Sequence, residues 1–120
     1  MTMNQILNLD CSKDTEKERN KVIQKYLREI KPLSKHKVIE DVPLYKIEKV
    51  ITILSKKYNM RIREFTPDVW SNDGETIWRA ILIDDRNINQ AGVIYGLSLY
   101  EVFAKTAIYM YSIREKVGER

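Results

Sequence analysis

Cysteine is nearly missing from this sequence. Cys11 stands alone, so no disulfide can form within the chain. That usage fits a reducing cytosol, and a cytoplasmic location is the expectation. Cys11 also precedes the first recognisable element, a poor setting for a nucleophile. Histidine is as scarce: His36 is the only one and lies in a polar stretch. Any nucleophile–base–orienter arrangement would have to be built on it. No Ser or Cys stands in a hydrolase-type elbow, and no Gly-rich phosphate loop is present. Three prolines and four glycines in 120 residues argue against long low-complexity segments. No apolar run approaches the roughly 18 residues of a membrane span. Met1–Asp10 lacks the basic start and apolar stretch of a signal peptide. The expectation is one soluble domain over residues 1–120, with no membrane partner, no cofactor and no catalytic residue.

What the chain does have is charge, unevenly spread. Residues 1–40 hold nine Lys/Arg against six Asp/Glu, and residues 41–59 hold four against two. Residues 60–97 reverse the balance, with four against six. The N-terminal half is thus mildly basic, which permits an anionic partner without requiring one.

Hydrophobic periodicity divides the chain further. Residues 1–14 show no pattern and are expected to be loosely held. From Thr15 to Lys31 the apolar positions Val22, Ile23, Tyr26, Leu27 and Ile30 share one helical stripe, opened by a Thr15/Glu18 capping box. Pro32 then favours a stop. This helix is expected on the outside of the fold. A second helix starts at Pro43, a residue suited to a first helical turn, and repeats Leu44, Ile47, Ile51, Leu54 and Tyr58. Asn59 is its expected left-handed cap. Met60–Phe65, Glu75–Asp84 and Gly92–Tyr95 read as strands. The middle one is apolar on both faces and therefore central. Ser98 and Glu101 form a capping box for a last helix reaching about Val117, stopped by Gly118. The fold class is α+β: a three-stranded antiparallel sheet packed against helices, in the order α-α-β-β-β-α, with residues 43–118 as its core.

The last helix is apolar around more than half its circumference. Leu99, Phe103, Thr106, Met110, Ile113 and Val117 make the central stripe, flanked by Val102, Tyr109, Tyr100, Ala104, Ala107 and Tyr111. Glu101, Lys105, Ser112 and Lys116 form the polar remainder. Such width exceeds what one sheet face needs. Either the N-terminal helices cover the surplus or a second copy does, and a homo-oligomer is the expectation. Arg114 falls inside the apolar arc beside Tyr100 and Tyr111. It either snorkels to water or receives an anion from a ligand or partner. Arg114, Tyr100 and Tyr111 are therefore the candidate ligand- or partner-binding residues.

A second candidate is the basic run Lys17, Lys21, Lys25, Arg28 and Lys31, with Lys35 and Lys37 beyond. Lys21, Lys25, Arg28 and Lys31 could track nucleic-acid phosphates, or they could be the solvated face of an amphipathic helix. Trp70 and Trp78 are read as core or rim residues of the sheet, with base stacking the alternative. The carboxylates Asp73 and Glu75 precede the central strand, whereas Asp84 and Asp85 follow it. Extended geometry separates the two groups by roughly 26 Å, which disfavours a metal or acid/base site.

Two resemblances arise. The order from Pro43 onward resembles a double-stranded-RNA-binding domain, and Gly96-x-Ser98 with Ala104-Lys105 is similar to that family's final helix. That family places paired lysines after the serine, where this chain has Leu99 and Tyr100, so the resemblance implies topology and not the phosphate grip. The run Val93-Ile94-Tyr95-Gly96-Leu97-Ser98-Leu99-Tyr100-Glu101 followed by an Ala/Lys-containing apolar helix resembles short accessory proteins of phages and prophages of low-GC Gram-positive bacteria. This second resemblance implies a non-enzymatic binding protein that inhibits a host defence protein or sequesters its nucleotide signal. The expected partner is accordingly a host protein or a small anionic ligand. A nucleic-acid-binding module working through the N-terminal lysines is the alternative.

Overall fold

The helical spacing of Ile23 and Leu27 produces α1 (Glu16–Leu27) in the computed structural model, which describes residues 16–35, 40–68, 77–84 and 91–112. The helix ends four residues before the expected Lys31. The amides of Glu29 and Ile30 donate to Tyr26 and Leu27 carbonyls, each at 3.1 Å, so the chain tightens to three-residue turns. Ile30 is then extended (φ −75, ψ 123), and Lys31–Leu33 forms a short 3-10 turn. Pro32 sits at the start of that turn, where its missing N–H costs nothing. Thr15 lies outside the described residues.

The second helix, α2 (Leu44–Tyr58), follows its expected apolar repeat, with Val50 added to the buried set. Pro43 is its N-cap, not a first-turn residue: it is extended (φ −62, ψ 144) and its carbonyl accepts from Lys46 and Ile47. Asn59 is left-handed (φ 54, ψ 40), as its position after the last apolar residue predicts.

The sheet has the order β1-β2-β3 with antiparallel pairing throughout, and it contains β1 (Met60–Asp68), β2 (Ile77–Asp84) and β3 (Ala91–Gly96). The fold is α+β with the element order read from the sequence. The strand β1 runs on beyond Phe65, through Pro67. An edge strand tolerates this, because one side of it needs no backbone donor. A bulge between Ile62 and Glu64 resets the register. The central strand sends alternate residues to opposite faces: Ala80 and Leu82 are buried, while Arg79, Ile81 and Ile83 are half-exposed.

The last helix, α3 (Leu99–Met110), lies across the buried face and is packed by α2, β3, α1 and β2. Its start crowds the end of β3. A methyl group on Gly96 would stand 2.9 Å from Val102 Cγ2 and 3.0 Å from the Val102 amide nitrogen. Ile23 and Leu27 of α1 share one core with Ile51, Leu82 and Met110. The first helix is thus part of the core and not an outer addition. It covers part of the apolar surplus of α3 from within the chain. Glu101 and Lys105, expected on a solvated face, are buried. No helix among the described residues is long and apolar enough to cross a membrane.

Candidate functional site

Where α1 meets α3, three buried charges converge. Ser98 Oγ accepts the Glu101 amide at 3.1 Å, which starts the helix as the capping box requires. The Glu101 carboxylate reaches back one residue further than that motif specifies and accepts the Leu97 amide at 2.7 Å. Its Oε1 also accepts Arg19 Nε at 2.7 Å and lies 3.2 Å from Lys105 Nζ. Lys105 Nζ in turn donates to the Tyr95 carbonyl of β3 at 2.7 Å. Relative exposures of 1%, 7% and 0% for Arg19, Glu101 and Lys105 put the cluster out of water. Burial pushes the Glu101 carboxyl up, but the Arg19 hydrogen bond, the Lys105 charge and the Leu97 amide together hold it below its ordinary value. The cluster ties α1, α3 and the end of β3 together, which is a structural task.

A second polar network surrounds Tyr100, one of the candidate ligand residues. Its hydroxyl donates to the Val42 carbonyl at 2.5 Å and accepts Gln24 Nε2 at 2.8 Å. Gln24 Oε1 accepts the Val42 amide at 3.0 Å, so the strand-like approach to α2 is held from α1. Burial raises the Tyr100 pKa above its ordinary value; the Gln24 hydrogen bond opposes that rise, and Asp41 adds to it. The hollow beside it, about 210 Å³, is lined by Glu16, Asp41 and Glu101 together with Asn20, Ser98 and Tyr100. Tyr100 thus braces the fold through its hydroxyl, at the edge of this hollow.

The basic run is shorter than the sequence suggested. Lys17, Lys21 and Lys25 are exposed on α1 at four-residue spacing. Arg28 and Lys31 lie beyond the helix end. Arg28 is half-buried and donates from Nη2 to the Glu40 carbonyl at 2.6 Å, so its guanidinium is engaged in holding the 40–42 segment. Lys35 is exposed. Arg114, Lys37, Trp70, His36 and Cys11 lie outside the described residues, and Trp78 is half-buried against the second small core of Ala80, Ile94 and Val102.

Tyr111, by contrast, lines an open groove of about 260 Å³. One wall is α2, through Val50, Ile53, Leu54 and Lys57; the other is Ile30, Lys31 and Pro32. Ile53 is 52% exposed and Tyr111 half-buried, so the groove is apolar at its base with lysines at its rim. Lys57 Nζ lies 5.3 Å from the Tyr58 ring centroid, over its face. Lys31, expected on a phosphate-tracking helix, is instead carried here by the 3-10 turn. Sequence reading missed Val50, Ile53, Pro32 and Lys57. The signal for three of them was present, because Lys46, Val50, Ile53 and Lys57 repeat at helical spacing beside the buried stripe.

No family model matches the chain, and no curated protein or solved structure matches it. Among the described residues no group of His, Cys, Asp or Glu could hold a metal ion.

Proposed function

We propose that this chain is a non-enzymatic binding protein whose working surface is the groove between α2, the Ile30–Pro32 segment and Tyr111. The observation that carries the reading is the pairing of an apolar base with a lysine rim, at a place where Ile53 is left half in water. An apolar residue in a concave, cation-edged setting gains free energy when a partner covers it. The matching partner presents an apolar body with a negative group beside it. The resemblance of the C-terminal third to phage accessory proteins extends this to an inhibitor of a host defence component. The lysines of α1 support the alternative, a nucleic-acid contact, less well: they are three solvated side chains that line neither of the two hollows described.

The test is an amide chemical-shift map of the whole chain, titrated with octanoate and, separately, with a generic single-stranded oligonucleotide at low salt. Octanoate should move Val50, Ile53, Leu54 and Tyr111. Shifts centred on Lys17, Lys21 and Lys25 with the oligonucleotide, and none in the groove with octanoate, would transfer the function to the nucleic-acid reading.

A further inference from the structure

The two edges of the sheet are not alike. At one end β1 carries Arg61, Arg63, Glu64 and Asp68 together with Pro67, and a bulge between Ile62 and Glu64 breaks its register. Charge, proline and bulges are the features that keep an edge strand from pairing with another chain. At the other end, among the described residues, stands β3, whose register with β2 is unbroken and whose six residues include neither charge nor proline. It is the only one of the three strands without a charge, in a chain that is 32% charged. Apolar surface is left at this edge as well. Val93 is 46% exposed and pairs with half-exposed Ile81 on the sheet's open face.

Gly92 adds a second observation. Glycine inside a strand weakens it and often marks where another backbone comes close. The chain's own packing does not call for it: a methyl group there would meet only the Tyr109 ring, at an ordinary 3.6 Å. Gly92 and Ile94 lie on the same, helix-covered face, opposite Leu82 and Ala80 of β2.

An antiparallel pair of identical strands has a two-fold axis, and residues on that axis meet their own copies. A charge there would face its like, and β3 has none. With Val93 set against Val93, each Ile94 falls opposite a Gly92 of the other copy, a large side chain beside the space a glycine leaves. Sliding by one residue, to Ile94 against Ile94, sets Gly92 against Gly96 and loses that fit. The Tyr95 carbonyl receives Lys105 Nζ at 2.7 Å and keeps a second lone pair for a partner strand.

We infer that β3 is a self-pairing edge: a second copy of this chain adds its own β3 antiparallel to the first, with Val93 against Val93 across a two-fold axis. The product is one six-stranded sheet in which each Val93 is covered by its twin. None of these residues lines the groove. An edge of six residues is small beside the roughly 1,200–2,000 Å² of a standard interface, so the dimer is a weak one.

Sedimentation equilibrium of the full chain up to about 1 mM tests it, a range that covers micromolar to millimolar dissociation constants. The parent chain should dimerise. Val93→Lys and Val93→Glu, each checked for an unchanged circular dichroism spectrum, should each self-associate about tenfold more weakly or worse, and an equimolar mixture of the two should dimerise again. In a Cys11→Ser background, mild oxidation should trap Val93→Cys as a covalent dimer, because paired Cα atoms about 4.5–5.5 Å apart lie within disulfide reach. Tyr95→Cys, on the same face but about 14 Å along the strand from its own copy, should stay single. A parent chain that remains monomeric at about 1 mM would overturn the inference. So would a dimer that survives both charged variants, a mixture that fails to recover, or cross-linking of the two cysteine variants at equal rates.

Discussion

Replacing Glu101 with alanine puts the most strain on this description of the fold. The substitution removes the carboxylate that lies between Arg19 and Lys105, at 2.7 and 3.2 Å, and that also receives the Leu97 amide. Arg19 is 1% and Lys105 0% exposed, so neither cation can turn to water without moving α1 or α3. Deleting one partner of a buried ion pair costs about 3–5 kcal/mol, because the remaining charge keeps its desolvation penalty. The lost bond at the helix start belongs to the same quantity and is not added again. Against a total stability of about 5–15 kcal/mol for a domain, this is a large fraction. Urea unfolding followed by circular dichroism at neutral pH should show the midpoint falling while the slope stays constant. A triple variant, Arg19→Met with Glu101→Leu and Lys105→Met, should recover much of the loss, since it removes the buried charges together. A Glu101→Ala loss below about 1 kcal/mol would place the three groups in the solvated class of ion pairs and refute the pinning of α1 by this cluster.

Acid titration gives a related expectation. The folded-state pKa of Glu101 is lowered, so the unfolded chain takes up its proton first. Its contribution is therefore complete above the ordinary value of 4.5 and is lost as pH falls through the lowered folded value; Glu101→Gln should lack that part of the acid dependence. Gly96→Ala should cost about 1–3 kcal/mol, because its methyl would lie 2.9 Å from Val102 Cγ2 and 3.0 Å from backbone. Gly92→Ala meets only the Tyr109 ring at 3.6 Å and should be tolerated, which a pair of thermal melts will distinguish. Tyr100→Phe should cost about 1–3 kcal/mol by leaving the Val42 carbonyl and Gln24 amide without their shared hydroxyl; an unchanged melt would reopen Tyr100 as a ligand residue.

The parts of the fold that the sequence made legible are those set by local physics. The apolar repeat of α2, the left-handed Asn59, the centrality of β2 and the Ser98 cap each depend on residues close together in the chain. What was hidden depends on distant residues. Arg19 and Glu101 are 82 positions apart, and nothing in either neighbourhood announces their pairing. Read alone, Glu101 and Lys105 are an ordinary polar helix face; only α1 laid over them makes them interior. The spacing of Lys31 fits a helical stripe, yet the turn at Ile30 carries it to the groove instead. The groove itself joins α2 to the 30–32 turn and Tyr111, so the apolar arc of the last helix points to Tyr111 while nothing local singles out Ile53 or Lys57. A one-dimensional pattern shows that a helix has a flank but not what stands opposite it.

The central claim is that Ile53 is placed for binding and not for folding, and a single variant separates the two. Ile53→Asp, at a position 52% exposed, should leave the unfolding free energy within about 0.5 kcal/mol of the parent chain while abolishing the octanoate shifts at Tyr111 and Val50. A melting temperature lowered by many degrees, or octanoate binding that survives the substitution, would contradict it.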